Sequence, residues 1–300
     1  MKTLHTLSRT SEQYYGNSLI TEEETSEDGL RVTEAEYWKK YYNHPEFNYE
    51  WKNGYLEEKP MADVKGSLVY QWFSDILRCY FSTYPIGTII NLEIGFRLAL
   101  PGDISIRKPD MAVVLNNNPV MLHLTDCNFA GIFDLCIESL SYSDLREIKR
   151  DTVDKKKEYQ GGGVREYYIL DARKIETAFY RLGEKGKYRK IKPVNKEIIQ
   201  SEALPGFQFR IPDMYKQPSL KEMAEDEVYQ GYVLPFYQKA RQEAEQEKQR
   251  AEKAEKMAEQ EKQRTEFEKQ RAESERQRAE KAEKRADYLV RRLKELGAEV

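Results

Sequence analysis

Apolar and polar positions follow two different periods along the middle of the chain. In residues 67–82 the apolar side chains recur at the spacing of an α-helix, which predicts a helix with one broad apolar face. These side chains are Leu68, Val69, Trp72, Phe73, Ile76, Leu77, Tyr80 and Phe81. Short apolar runs typical of strands follow at 89–100, 106–115, 132–139, 167–170, 177–180 and 188–191, and a last short strand follows Leu204-Pro205-Gly206-Phe207. Such strands, placed between early and late helices, predict an α/β fold in which a mixed sheet is flanked by helices.

Three local motifs indicate where elements begin and end. Thr33-Glu34-Ala35-Glu36 is a capping-box pattern, which predicts the start of a short helix. Asn53-Gly54 predicts a type I′ turn, so residues 49–58 are expected to form a hairpin. The charged run from Ser143 to Gln160 predicts a helix. Gly161-Gly162-Gly163 is expected to end it, because glycine tolerates the left-handed conformation of a helix cap.

From Pro235 onward the chain becomes a charged heptad repeat. One series of positions, spaced by seven, is Ala244, Ala251, Ala258, Thr265, Ala272, Ala279, Ala286 and Leu293. The companion series is Ala240, Glu247, Ala254, Glu261, Glu268, Glu275, Ala282, Leu289 and Leu296. These are the a and d positions of a coiled coil. A helix of about 59 residues would extend ~90 Å at a rise of 1.5 Å per residue.

The side chains at these a and d positions are small and partly polar, so alternatives to a self-associating coiled coil remain. The segment could be an isolated charged helix or a helix that binds another protein. We favour the coiled coil, and with it a homodimer, but alanine at a and d permits several stoichiometries.

The composition shifts predict four regions. Residues 1–30 are polar, with an acidic run at Glu22-Glu23-Glu24, and are expected to form a flexible tail. Residues 31–215 form the globular domain, residues 216–237 a helical linker, and residues 238–300 the coiled coil.

The bulk composition excludes some classes of protein. The formal net charge of −3 averages unlike segments and says little about partners. No run of 18 apolar residues is present, so a membrane span is not expected, and the first residues lack a signal-peptide core. The cysteines Cys79, Cys127 and Cys136 show no metal-ligand spacing; we expect them to be reduced, with Cys79 and Cys136 buried, in a cytoplasmic protein.

Two carboxylates lie in neighbouring strand-like runs and form the best candidate site. Asp110 follows Pro109 in the run 106–115, and Glu138 is the penultimate residue of the run 132–139. Carboxylate oxygens are donors suited to Mg²⁺ or Mn²⁺, and a metal beside a phosphodiester can activate water and offset negative charge. Asp110 and Glu138 are therefore candidate metal ligands and catalytic residues.

A lysine to complete such a site has to come from the following helix, because position 140 is Leu140. Asp151, Lys155 and Tyr159 are spaced four residues apart and share one helical face. Lys155 is therefore the candidate catalytic lysine and Asp151 its predicted ion-pair partner, whereas Lys156 and Lys157 are turned away from that face.

Four motifs in this order resemble the Uma-two family of the PD-(D/E)XK nuclease superfamily. They are Arg107-Lys108-Pro109-Asp110, the run from Phe133 to Ser141, Asp151-x-x-x-Lys155-x-x-x-Tyr159, and the run from Gly163 to Asp171; Tyr49-Glu50, Asn53-Gly54 and Pro60 resemble the family's N-terminal hairpin. The resemblance covers about residues 45–210. It implies a restriction-endonuclease-like core, Mg²⁺-dependent DNA cleavage, metal ligands at Asp110 and Glu138, and a catalytic lysine displaced onto the helix at Lys155.

Several readings of these residues remain open. Glu50 and Glu93 could support the metal site, although exposed strand positions are favoured, and Tyr159 and Tyr167 fit core packing better than catalysis. Arg107 and Lys108 are expected to meet phosphates. The main alternative to the nuclease is a catalytically inactive scaffold whose coiled coil binds protein partners; a toxin-like or mobile-element protein is a third reading. The sequence does not distinguish DNA from RNA as substrate.

Overall fold

The computed structural model describes residues 25–59, 61–92, 94–142 and 144–295. Several predictions fall on residues outside this set. They concern residues 1–24 of the proposed tail, the hairpin residue Pro60, the carboxylate of Glu93, the start of the charged helix at Ser143, and the seam position Leu296.

Within the described residues, the strands assemble into three sheets. The strands are β1 Tyr49–Lys52, β2 Tyr55–Glu58, β3 Gly87–Ile90, β4 Gly95–Leu100, β5 Asp103–Arg107, β6 Met111–Leu115, β7 Asn128–Phe129, β8 Leu135–Ser139, β9 Glu166–Leu170, β10 Ala178–Leu182, β11 Tyr188–Lys190, β12 Ile198–Gln200 and β13 Gln208–Arg210. One sheet has the order β2-β1-β5-β4-β7, a second β11-β10-β9-β8-β6-β3, and a small third pairs β12 with β13. The first two sheets are mixed, because β4 runs parallel to β7 and β8 runs parallel to β9.

Helices precede, separate and follow these strands along the chain. The helices are α1 Glu34–Glu36 with the π-helical turn Tyr37–Tyr41, α2 Val64–Thr83, α3 Leu145–Lys149 with the π-helical turn Arg150–Lys155, α4 Lys156–Gly162, α5 Asp213–Lys216, α6 Leu220–Glu225 and α7 Tyr237–Glu295. The predicted fold class, a mixed sheet flanked by helices and followed by a long C-terminal helix, is confirmed.

The core of the sheet region lies on both faces of the second sheet. Tyr167 and Tyr168 are neighbours in β9 and point to opposite faces, as the pleat of a strand requires. On one face Tyr167 contacts Tyr159 of α4, with ring centroids 5.0 Å apart. On the other face Tyr168 contacts Phe73 of α2, with centroids 6.2 Å apart. All four rings are fully buried, so both faces are covered and the sheet is held as a central layer.

The run 106–115 is not one strand, contrary to the prediction. It divides into the end of β5 and the whole of β6, which belong to different sheets. Pro109 lies at the division. Proline has no N–H to donate to a strand ladder, so the strand pairing is interrupted there. Asp110 therefore stands where the chain passes from the first sheet to the second. The run 89–100 divides in the same way, into β3 and β4.

The local motifs behave as predicted. Thr33 and Glu36 exchange both hydrogen bonds of the capping box. Asn53 and Gly54 have φ values of 49° and 93°, as a type I′ turn needs, and join β1 to β2. Gly163 caps α4 in the left-handed conformation, with φ of 91°.

The charged helix is interrupted by a wider turn. Between α3 and α4 the backbone forms a π-helical turn from Arg150 to Lys155, a feature that the charge pattern did not indicate. Arg150, Asp151 and Lys155 are buried in this turn, whereas Val153 is exposed. The extra width of the turn places three charged side chains on the side that faces the sheets.

The chain separates into two compact units, residues 1–235 and 236–300. In the first unit, residues 216–235 contribute buried side chains, among them Met223, Tyr229 and Tyr232. The second unit contains the 59-residue helix α7. In the described part of the chain, no helix is both long and apolar enough to cross a membrane.

The cysteines are free thiols. Cys136 is buried in β8, as predicted, and Cys127 is exposed. Cys79 is only half-buried, so the prediction of a buried position is wrong for it. It lies beside the core-facing Tyr80 in α2, where the apolar face meets the polar one.

Candidate active site

A cleft of about 380 Å³ opens beside the point where Pro109 separates the two sheets. Its lining is Lys59, Ala62, Ser67, Tyr70, Leu92, Asp110, Glu138, Ser139, Ser141, Arg150, Asp151 and Lys155. The three predicted site residues, Asp110, Glu138 and Lys155, are all among these. They come from a strand junction, a strand and a π-helical turn.

Strand pairing brings the two carboxylates together. Met111 of β6 pairs with Ile137 of β8 in an antiparallel register, so Asp110 and Glu138 are the next residues at the same end of the ladder. The backbone N–H of Ser139 donates to Asp110 Oδ2 at 2.6 Å, which fixes the Asp110 carboxylate against β8. Glu138 is 1% exposed, and its Oε1 accepts a hydrogen bond from the Tyr159 hydroxyl at 2.7 Å.

Lys155 is surrounded by carboxylates. Its Nζ lies 3.1 Å from Glu138 Oε2, 3.1 Å from Asp151 Oδ1 and 3.3 Å from Glu50 Oε1. The predicted ion pair between Asp151 and Lys155 is therefore present. Lys155 is itself only 1% exposed, and an ammonium buried to this degree requires such partners.

Burial and the surrounding charges shift the pKa values of both Glu138 and Lys155. Burial raises the pKa of Glu138 to about 8; Lys155 opposes the rise, and the negative charges of Asp110 and Asp151 add to it. Burial alone would lower the pKa of Lys155, but its three carboxylate partners reverse this and hold it above the ordinary value. Lys155 therefore remains an ammonium across the physiological range.

Glu50 is part of this site, although the sequence favoured an exposed position. Its side chain is completely buried. Burial opposes its ionisation, but Lys155 and Arg107 outweigh that effect and hold the pKa of Glu50 well below its usual range. A strand in an N-terminal hairpin gives no sequence signal that it will be covered, so the pattern of β1 could not reveal this role. Glu93 lies outside the described residues.

Arg107 and Lys108 do not line the cleft, contrary to the expectation that they meet phosphates. Arg107 is fully buried, and its guanidinium donates to Glu158 Oε2 at 2.6 Å and to Glu50 Oε2 at 3.0 Å. It also pairs with Glu57. The Lys108 side chain is turned to the other side, where Nζ donates to the Tyr42 carbonyl at 2.6 Å. The basic pair thus ties β5 to its neighbours, because its strand is interior to the first sheet.

The sequence reading missed two cations that line the cleft. Lys59 follows β2 and is 7% exposed; its Nζ donates to Asp110 Oδ1 at 2.8 Å and to the Lys108 carbonyl at 2.6 Å. Arg150 is 8% exposed and donates through Nη1 to the Glu58 carbonyl at 2.8 Å. Neither was assigned to the site from the sequence, since nothing in a single sequence marks a buried lysine or arginine.

The remaining helix residues fall where the spacing placed them. Lys156 lies over the ring of Tyr180, 4.1 Å from its centroid, and Lys157 is exposed, so Lys155 alone of the three reaches the carboxylates. Tyr159 and Tyr167 are both core residues, as expected. Tyr159 has a second function, because its hydroxyl also orients Glu138.

The donor set of the cleft fits a hard divalent cation. Asp110 and Glu138 both line the cleft and offer carboxylate oxygens, the donors that hard divalent cations select. Among the described residues, no group of three or more His, Cys, Asp or Glu side chains is arranged to hold a metal. A bound Mg²⁺ or Mn²⁺ would therefore complete its shell with backbone oxygens and water, as Mg²⁺ usually does.

This chain is similar to a solved structure and to one protein family. A crystal structure described as a putative nuclease belonging to DUF820 from Anabaena variabilis matches at 17% sequence identity and a TM-score of 0.47, covering 61% of this chain and 96% of that chain. A comparison with curated proteins gave no match. The sequence profile of the Uma2 family, described as "Putative restriction endonuclease", matches residues 35–212, which is more than half of the chain. The predicted resemblance is thereby confirmed, and the chain belongs to the Uma2 family.

Proposed function

We propose that this protein is a Mg²⁺- or Mn²⁺-dependent endonuclease that hydrolyses phosphodiester bonds of DNA. The observation that carries the proposal is the convergence of Asp110, Glu138 and Lys155 on one cleft, from three separate segments. Membership of a family described as restriction endonucleases supports the same reaction class.

In this proposal each side chain has one task. Asp110 and Glu138 would hold the metal, and a bound divalent cation would supply activation of water and neutralisation of phosphate charge. Lys155 cannot serve as a base, because its carboxylate partners hold the pKa of its ammonium above the ordinary value. It instead fixes Glu138 and Glu50 and offsets charge that develops on the phosphate. Tyr159 orients Glu138 by donating to Oε1.

A plasmid-nicking assay with Mg²⁺ or Mn²⁺ tests the assignment. We expect wild type to nick supercoiled DNA and Asp110→Ala and Glu138→Gln to lose at least 100-fold in rate. Asp75→Ala, on the exposed face of α2, is the matched control and should retain wild-type activity. Equal rates for wild type and Asp110→Ala would exclude the proposed metal ligand, and an RNA substrate cut in preference to DNA would correct the substrate class.

We further propose that α7 joins two copies of the protein in a homodimer. Two active sites are needed to cut both strands of a duplex. The a and d series of α7 supplies the interface.

The free thiols are consistent with the cytoplasmic location that the sequence predicts.

The second candidate function is a catalytically inactive scaffold. The observation that favours it is the ammonium of Lys59, which lies 2.8 Å from Asp110 Oδ1 and gives that carboxylate a counter-charge without any metal. Isothermal titration with Mn²⁺ separates the two functions. Binding to wild type that Asp110→Ala abolishes supports the nuclease, and no binding to either supports the scaffold.

A further inference from the structure

Lys59 has the surroundings of a bound cation. Its ammonium is held by a carboxylate oxygen of Asp110 at 2.8 Å and by the backbone carbonyl of Lys108 at 2.6 Å. Both are hard oxygen donors of the kind that Mg²⁺ and Mn²⁺ select. The side chain is 5% exposed, so solvent does little to screen this charge.

The other oxygen of Asp110 is also engaged. Oδ2 accepts the backbone N–H of Ser139 at 2.6 Å, which anchors it to β8. Oδ1 is thus the Asp110 oxygen that meets a positive charge, and that charge belongs to Lys59. A dication approaching Asp110 meets this ammonium at close range, and two positive charges a few ångströms apart repel strongly when solvent is largely excluded.

We propose that Lys59 is a positioning residue that acts as an internal cation at Asp110, in competition with the divalent metal. The inference rests on the proposed function, because it takes Asp110 as a metal ligand. Without metal, Lys59 neutralises and orients the Asp110 carboxylate, so the cleft is formed in advance. Metal binding has to displace the ammonium from Oδ1, and the affinity of the site is therefore set below what its carboxylates alone would give.

Direct measurement of Mn²⁺ affinity, by electron paramagnetic resonance of the free ion, tests this without recourse to activity. We expect Lys59→Met to bind Mn²⁺ at least 10-fold more tightly than wild type. Lys59→Gln keeps an N–H donor for Asp110 and removes the charge, so it covers the case in which the methionine variant does not fold. Lys59→Arg keeps the charge and should bind Mn²⁺ as wild type does.

The matched control is Lys52→Met. Lys52 pairs with Glu158 at 2.6 Å and does not line the cleft, so its removal takes away the same charge without touching Asp110. Its Mn²⁺ affinity should remain within about twofold of wild type. A loss of thermal stability in Lys59→Met and Lys59→Gln without tighter Mn²⁺ binding would indicate a purely structural lysine and overturn the inference.

The outcomes separate this inference from the proposed function. If wild type binds Mn²⁺ through Asp110 and both uncharged variants bind it no more tightly, the inference fails and the nuclease proposal stands. If neither wild type nor the uncharged variants bind Mn²⁺ in an Asp110-dependent manner, both fail. If Lys59→Met or Lys59→Gln binds Mn²⁺ tightly and wild type does not bind it, Lys59 competes strongly enough to exclude the metal from the wild-type protein.

Discussion

At the scale of single residues, Lys155 is the cation shared by three buried carboxylates. Glu50, Glu138 and Asp151 all have an oxygen within 3.3 Å of its ammonium, and all three side chains are themselves buried. Removing one partner of such a cluster leaves the others uncompensated in a medium that solvates charge poorly.

Lys155→Met should therefore lower the free energy of unfolding by roughly 3–5 kcal/mol, the usual cost of breaking a buried ion pair from one side. Urea denaturation followed by circular dichroism measures this difference. Lys157→Met removes an exposed lysine from the same helix and should change stability by less than about 0.5 kcal/mol. Equal stabilities for the two variants would contradict the ion-pair geometry.

Glu158 predicts how stability depends on pH. Burial opposes its ionisation, but hydrogen bonds from Arg107 lower the pKa of Glu158 from 4.5 to about 2. Because the folded pKa is the lower one, the stabilisation is complete above pH 4.5 and is lost as pH falls towards 2. Its size is on the order of 3 kcal/mol at 1.36 kcal/mol per unit of pKa.

The stability difference between wild type and Glu158→Gln should accordingly be larger at pH 6 than at pH 3. Urea denaturation at both pH values gives the two differences. Glu197→Gln, at an exposed position, should give the same small difference at both. A difference for Glu158→Gln that does not depend on pH would mean that its carboxylate is not ion-paired in the folded protein.

Sequence reasoning identified the candidate site residues whose positions follow from helical period and strand register. Strand pairing brings Asp110 and Glu138 together, and a four-residue helical spacing places Lys155 beside Asp151. Strands and helical spacing both leave a pattern in the sequence. Glu50 and Lys59 leave none, because they are polar residues of a hairpin whose covering by distant segments is a tertiary property. A charged residue in a short strand is exposed far more often than buried, and the prediction followed that tendency.

At the scale of elements, the close approach of α4 to β4 shows why glycines follow Gln160. A Cβ added to Gly162 would lie 2.3 Å from Leu98 Cδ2, and Leu98 is fully buried. The glycines do end the helix as predicted, but they also let its last turn lie against the first sheet. Only the capping role could be predicted from the run of glycines, since the packing partner lies 64 residues away in the chain.

Gly162→Ala should destabilise the protein by roughly 1–3 kcal/mol, because the added methyl overpacks a filled core. A shift in the midpoint of thermal unfolding measures the effect. Gly231→Ala is the matched control, since a Cβ there meets no atom within 4 Å, and it should leave the midpoint nearly unchanged. Similar midpoints for both variants would mean that α4 does not press on Leu98.

Among the other elements, some were predicted in full and others only in part. The helical period of α2 and the turn residues of the first hairpin specify their elements locally, and both are where the sequence placed them. The division of 106–115 between two sheets was missed, because an apolar run on either side of a proline looks continuous. The proline contained the signal, since it cannot take part in a ladder from the interior of a strand.

At the scale of the whole molecule, α7 determines the predicted assembly. Alanine in the a and d series permits close helix packing but buries little apolar area, so the association should be sensitive to single charges at the seam. Residues at the f positions of the same heptads lie on the opposite side and provide a natural comparison.

Ala258→Glu combined with Ala272→Glu should convert a dimer to a monomer. Size-exclusion chromatography with light scattering reports the mass, with 35.4 kDa expected for one chain. Gln263→Glu combined with Gln270→Glu adds the same charge at f positions and should leave the dimer intact. A monomeric wild type would remove the coiled-coil proposal, and a mass that both pairs of substitutions leave unchanged would place the contact elsewhere.

Lys59, Asp110, Glu138 and Lys155 line the cleft, and Glu50 pairs with Lys155 behind it; these charged residues are spread over more than a third of the chain. A polypeptide emerging from the ribosome cannot complete this set until the π-helical turn Arg150–Lys155 has been synthesised, because Lys155 is the last of these residues in the chain. Products of interrupted translation that end before Lys155 would retain the paired carboxylates without their shared ammonium. If the protein cuts DNA as proposed, it would in this way be harmless to its own cell until about two thirds of the first compact unit, residues 1–235, has been synthesised.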